Sequence, residues 1–231
     1  MSQRCEMKII AHMESDFDTK FGVPRQSGLV SSALSRVVFE PEYRNSDALR
    51  GMDGFSHLWL IWQFSECVRE DWSPTVRPPR LGGNTRMGVF ATRSPFRPNA
   101  IGLSCVEIDH VANDPALGPV IYVRGADLMN DTPILDIKPY LPYADSRPQA
   151  KGGFGFTPGQ GAVQVECPAQ LLEKLPQEKR QALLDVLAQD PRPGYQHADE
   201  RRYGIAFAGH DVRFTVRDGV LTVFEIENSQ S

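Results

Sequence analysis

Five arginines set the chemistry of this 231-residue chain. Arg77, Arg80, Arg86, Arg93 and Arg97 fall between Trp72 and Val106, and no aspartate, glutamate or lysine interrupts them. The whole chain carries a net charge of −4, so everything outside that stretch sums to −9. Guanidinium is planar, permanently charged and forked, which suits bidentate recognition of phosphate or carboxylate better than a diffuse positive field. Pro78, Pro79, Gly82, Gly83, Pro95, Pro98 and Gly102 are interleaved with the arginines, marking shaped backbone that a ligand can approach closely. Concentrated like charge costs stability. A bound anion therefore accounts for all five arginines better than a loop rim in which each pairs with a distant acid.

Weaker candidates lie elsewhere. Pro24-Arg25-Gln26 sits in a polar loop, where an arginine is ordinarily solvated. His57 opens the apolar run Phe55–Phe64, so it is either a satisfied core histidine or part of a pocket. With no second histidine at ligand spacing, no metal site is expected. Asp136, Lys138 and Tyr140 alternate with apolar residues and so share one face of a strand, as a polar pocket or as a surface salt-bridge row. Asp127 to Pro133 is dense in turn formers and joins two strands.

The elements that must carry these residues are mostly short strands. Runs at Met7–Met13, Ala33–Phe39, Phe55–Phe64, Ile101–Val111, Pro119–Arg124 and Ile134–Lys138 are apolar or β-branched and bounded by turn formers. Phe55–Phe64 is almost wholly apolar, which predicts a strand covered on both faces. Pro41–Gly51 reads as a turn and one short helix capped by Gly51. With no helix long enough for parallel crossovers and no G-x-G-x-x-G between a strand and a helix, the fold class is mainly β: a mostly antiparallel barrel over residues 1–145. A Pro/Gly-rich linker, Asp145 to Gly161, precedes a small α+β unit within 146–231. Leucines recur at helical spacing from Pro168 to Leu187, broken at Pro176, and three strands follow at Tyr203–Ala208, Val212–Val216 and Val220–Ile226. Four scattered cysteines, no apolar core in Met1–Glu6 and no bilayer-length apolar run predict a soluble, cytoplasmic protein.

Taken in order, several of these segments resemble one family: the tRNA adenosine-37 N6-methyltransferases formerly grouped as TsaA-like or YaeB-like proteins. The matching stretches are Phe21–Gln26, Gly51–Trp59, Arg77–Gly102, Asp136–Pro142 and Gln189–Tyr195, with RMGVFATRSPFRPNAIG the most specific. The resemblance implies a β-barrel methyltransferase that uses S-adenosylmethionine, works as a homodimer with the cofactor near the subunit interface, and methylates N6 of threonylcarbamoyladenosine beside the anticodon. It implies a cofactor pocket lined by Pro24, Arg25, Gln26, His57, Leu58, Arg93, Leu103 and the loop Leu128, Met129, Asn130, Asp131, Thr132. Where that family has Asp-Gly-Thr-Pro, this chain has Asn130-Asp131-Thr132-Pro133, and aspartate is among the few residues besides glycine that tolerate the left-handed region.

The transfer needs the acceptor nitrogen held in line with the methyl group in a water-excluded site, and an acceptor for its proton. Asp136 is the first choice for that acceptor and Tyr140 the second. Arg77, Arg80, Arg86, Arg97, Lys138 and Arg192 are expected on RNA phosphates, with Tyr195, Arg201 and Arg202 extending the RNA surface or closing over a partner subunit. The competing readings are a non-catalytic RNA-binding barrel and a methyltransferase acting on a small acceptor.

Overall fold

The computed structural model describes residues 5–69, 71–78, 81, 83–154, 162–192 and 201–229. The first eight strands are β1 (Ala11–Glu14), β2 (Leu34–Phe39), β3 (His57–Gln63), β4 (Thr75–Val76), β5 (Met87–Gly88), β6 (Ile101–Asp114), β7 (Gly118–Arg124) and β8 (Thr132–Pro139). Six of them close into a barrel in the order β1-β2-β7-β6-β3-β8, every neighbouring pair antiparallel, while β4 and β5 form a separate ribbon. The barrel follows from period-two burial: β2 and β3 alternate strictly between inward and outward residues. Met13, Val37, Leu58, Leu60, Val106, Ile121, Val123, Leu128 and Ile134 fill the interior. Each contributes about 1.5–3 kcal/mol of transfer free energy.

Three expectations change. The first strand begins at Ala11 rather than Met7. Pro41–Gly51 holds two 3-10 turns, Pro41–Tyr43 and Ser46–Leu49, in place of one helix. Gly51, at φ 86°, makes the left-handed step into a third turn at Met52–Gly54. And β3 is covered on one face only: Leu58, Leu60 and Trp62 point inward, whereas His57, Trp59, Ile61 and Gln63 are half-exposed. Outside the barrel, Ile61 faces Leu103 and Gln63 faces Ile101 across the β3–β6 pair. Trp59, Ile61, Ile101 and Leu103 thus form an apolar patch on that outer face without being core.

Beyond the barrel come β9 (Gln164–Glu166), β10 (Tyr203–Phe207), β11 (His210–Arg217) and β12 (Val220–Asn228), ordered β10-β11-β12-β9 with β9 parallel to β12. The helices are α1 (Pro142–Asp145), α2 (Ala169–Leu172) and α3 (Gln177–Ala188), and Pro176 separates the last two as the sequence predicts. The face of α3 formed by Ala182, Leu183, Val186 and Leu187 packs on this sheet. Phe17, Val30 and Ala33 belong to the same core, although they precede the barrel's second strand. The loop after β1, polar in sequence, is therefore a strap tying barrel to tail: Phe17 meets Phe207 edge to face at 5.7 Å, and Asp16 holds Lys179 at 2.6 Å. No helix among the described residues is long and apolar enough to cross a membrane.

Candidate functional site

The strap carries Pro24-Arg25-Gln26 and is fixed at both ends. On the barrel side Gly28 N–H donates to the Gly125 carbonyl at 2.8 Å, and a side chain at Gly125 (φ 71°) would press on the Gly28 backbone. On the tail side Arg25 Nη2 donates to the carbonyls of Asp190 and Arg192, each at 3.3 Å. Arg25 is thus a clasp between the strap and the end of α3. Gln26 is left facing the arginine stretch, and its side-chain carbonyl accepts from Arg93 Nη1.

Strap, arginine stretch and tail enclose a cleft of about 2320 Å³, lined by Pro24, Arg25, Gln26, Arg77, Arg86, Arg93, Arg97 and Arg192 among others. Drug-sized ligands occupy roughly 300–1,000 Å³, so this cleft has room for a macromolecular segment beside a small molecule. Among the described residues, Arg77, Arg86, Arg93 and Arg97 form no ion pair with a carboxylate. Of the acids on the wall, Asp190 is occupied in a bidentate pair with Arg192, both contacts 2.8 Å. Arg97 has a structural task as well, donating to the Thr92 carbonyl at 3.1 Å and bracing the loop that carries Arg93. Arg80 and Tyr195 lie outside the described residues.

Behind Arg93 sits a polar chain. Trp62 Nε1 donates to Ser104 Oγ at 3.0 Å, and Ser104 Oγ donates to Asp127 Oδ1 at 2.5 Å. The Ser27 N–H also reaches the Asp127 carboxylate. Burial pushes the Asp127 carboxyl above its ordinary range; the Ser104 and Ser27 hydrogen bonds and the Arg93 charge only partly oppose this. Asp127 thus ties the strap residue after Gln26 to the barrel interior. Turn chemistry was all the sequence offered at this position, since a half-buried carboxylate in a loop has no periodic signature.

The remaining expected site residues fall on other surfaces. His57, Leu103, Asp136, Lys138 and Tyr140 lie on or beside the outer face of β6, β3 and β8, with Tyr140 6.1 Å from the His57 ring and 5.9 Å from Trp59. Asp136 and Lys138 do share a strand face, and they pair at 3.0 Å. The side chains of Leu58 and Leu128 are fully buried in the barrel, so any ligand contact there runs through main chain. Met129 to Thr132 is knitted to the strap's root: Asp131 N–H reaches the Met13 carbonyl at 2.7 Å, Asn130 N–H the Phe17 carbonyl at 2.8 Å, and Asn130 Oδ1 accepts from Ser15 N–H at 3.1 Å. Thr132 is buried, its hydroxyl on the Met129 carbonyl at 2.8 Å. Asp131 adopts φ 60°, the left-handed turn that glycine would fill. In the tail, Arg201 and Arg202 lie over the Tyr203 and Phe224 rings.

A closed antiparallel barrel, a strap-bound guanidinium cleft and an appended mixed sheet exclude a Rossmann-type fold, and the comparisons with known proteins give the class. The family model described as the tRNA-methyltransferase O N-terminal domain matches residues 12–146, and that of the TrmO C-terminal domain matches 160–229. The chain belongs to the tRNA-methyltransferase O family. It is similar to the tRNA (adenine(37)-N6)-methyltransferase of Escherichia coli K12, 42% identical over 226 residues covering 94% of this chain and 96% of that one. A Pseudomonas aeruginosa relative with S-adenosylmethionine-dependent methyltransferase in its name is 38% identical, over 89% of this chain and 90% of its own. Among solved structures, a TrmO crystal structure from P. aeruginosa superposes with a TM-score of 0.81 at 31% identity, over 99% of both chains. A non-catalytic barrel is set aside on this ground.

Proposed function

We propose that the chain transfers the methyl group of S-adenosylmethionine to N6 of threonylcarbamoyladenosine at position 37 of tRNA, in the cytoplasm. The observation that carries this reading is that Arg77, Arg86, Arg93 and Arg97, which form no salt bridge among the described residues, share one cleft with Pro24, Arg25 and Gln26. The residues present fit the cofactor. Arg93 spends one N–H on Gln26 and keeps others for an amino-acid carboxylate, and Phe21, Val23 and Leu29 supply apolar wall. When bound, S-adenosylmethionine supplies an electrophilic methyl group on a cationic sulfur. The chain's own part is to orient the acceptor nitrogen, exclude water and take its proton, the last assigned first to Asp136 and then to Tyr140.

The expected cofactor contacts divide between the cleft and the outer face of β3 and β6. That division, and the exposure of Leu103 (53%) and Ile101 (38%) beside half-buried Ile61 and Trp59, support a homodimer in which a second copy covers the apolar face. Leu103→Asp should then convert a dimer to a monomer in sedimentation, whereas an unchanged mass would remove this face as the interface. The overall reading is tested by calorimetric titration with S-adenosylmethionine, followed by mass spectrometry of nucleosides from tRNA treated with the pure protein. Cofactor binding and a methyl mass gain on the threonylcarbamoyl nucleoside are expected. No mass gain with wild-type protein and cofactor would sink the substrate assignment.

A further inference from the structure

The ribbon of β4 and β5 exposes aromatic rings that the described chain does not cover. Trp72 is 52% exposed and Phe90 72%, their ring centroids 5.9 Å apart and tilted by 32°. Both line the cleft. They lie eighteen positions apart in sequence and meet because Thr75 pairs with Gly88, Val76 pairs with Met87, and Val89 N–H donates to the Pro74 carbonyl at 2.9 Å. Val89 is buried and anchors the turn that lifts Phe90 outward.

Continuing the register one step past Val76–Met87 sets Arg77 opposite Arg86 at the other end of the ribbon. Like charges facing across strands destabilise the pair. Neither arginine is offset by a carboxylate among the described residues. Arg86 is four residues from Phe90 and Arg77 five from Trp72, so the two ends lie at most about 13–17 Å apart at the usual strand rise of about 3.3 Å per residue. Phe96, 40% exposed, takes the Arg69 guanidinium over its ring at 4.0 Å, another π-face on the same wall.

We propose that Trp72 and Phe90 form a stacking platform for an unpaired nucleobase next to the target adenosine, with Arg77 and Arg86 holding the phosphates of the same strand. This rests on the RNA substrate proposed above and says how its loop is gripped. Bare aromatic faces beside unpaired guanidinium groups are what a splayed single strand needs, since stacking is tolerant of sequence and the phosphates supply the complementary charge. A protein partner would have to present acids at one end of the ribbon and an apolar patch at the other.

The test measures affinity of the full-length chain for an RNA hairpin with an anticodon-type loop at several salt concentrations, following the fluorescence anisotropy of a dye on the hairpin. Trp72→Ala and Phe90→Ala should each weaken binding about tenfold or more with the salt slope unchanged, and Phe90→Tyr should bind as wild type does. Phe90 is mostly exposed, so its variants keep the thermal midpoint of the parent. Binding within twofold of wild type for both alanine variants overturns the platform. So does a change of sedimentation mass in place of a loss of RNA affinity, which would mean that the rings cover another copy of the chain. Wild-type protein that neither binds RNA nor transfers methyl would defeat the functional reading along with the platform, whereas wild-type activity with indifferent variants defeats the platform alone.

Discussion

Arg93 donates to the side-chain carbonyl of Gln26 across 67 residues of sequence, joining the arginine stretch to the strap. Of the cleft arginines that form no salt bridge among the described residues, Arg93 is held by a neighbour on the strap, so its direction is set before a ligand arrives. Preorganisation of that kind reduces the ordering cost of binding.

Arg93→Ala is expected to weaken S-adenosylmethionine binding by about 1.5–3 kcal/mol, the range for a lost hydrogen bond to a charged group. Gln26→Ala should weaken it less, because the guanidinium stays but loses its support. Arg93→Lys should not restore wild-type affinity, since a point charge cannot reproduce the fork. Calorimetry on the three variants checks the order; equal affinity for Arg93→Ala and wild type would end the assignment of Arg93 to the cofactor.

Arg86→Ala should leave cofactor affinity near wild type and weaken tRNA binding at every sequence tested. The slope of log affinity against log salt should fall by about one phosphate contact. Arg97→Ala should differ in kind. Because Arg97 braces the Thr92 carbonyl, its loss is expected to lower the thermal midpoint as well as RNA affinity. A salt series on both variants separates the phosphate contact from the brace.

How much of this could be read from the chain varies with the physics behind each element. The barrel was legible because strand periodicity is local: β2, β3 and β7 appear within a few residues of their expected bounds. The outer face of β3 misled for a physical reason. Trp59 and Ile61 make the run apolar throughout, and sequence cannot distinguish a face covered by the same chain from one left for a partner. The arginine stretch was legible through the absence of acids, a property of composition. Asp127, Arg25 as a clasp and the Trp72–Phe90 pair were not, because each depends on contacts over long sequence separations.

Asp127 predicts a pH dependence of unusual sign. Its carboxyl is raised by burial, so the folded chain binds that proton more tightly than the unfolded chain does. Stability therefore falls as pH rises from the ordinary carboxylate range through the raised folded value, and this term favours the folded chain on the acidic side. Asp127→Asn keeps an acceptor for Ser104 and removes the titration. Its stability difference from wild type should accordingly shift in favour of the variant as pH rises toward neutrality. Denaturant midpoints measured on both proteins between pH 4 and pH 7, a range set by the ordinary carboxylate value of about 4, decide the matter; parallel curves would show that Asp127 is not perturbed.

Gly102 offers the sharpest link between packing and site. It pairs with Trp62 across β3 and β6, and a Cβ at this position would overlap the indole ring itself, at Cε2, Cζ2 and Cδ2. A rigid ring in a filled barrel has little room to retreat, because the Phe64 ring lies against it, tilted by 57° with centroids 4.2 Å apart. Gly102→Ala should therefore destabilise the chain by about 1–3 kcal/mol through overpacking. The damage should not stop at stability, since displacing Trp62 removes the donor to Ser104 Oγ and loosens the hydroxyl that holds Asp127 beneath the strap. Reduced cofactor affinity is expected even at temperatures where the variant is fully folded. Trp62→Phe in the Gly102→Ala background should recover part of the lost stability, because the smaller ring vacates the overlap, without recovering affinity, because phenylalanine has no donor for Ser104. Recovery of both together would show that the Trp62–Ser104–Asp127 chain is packing alone, with no bearing on the cleft.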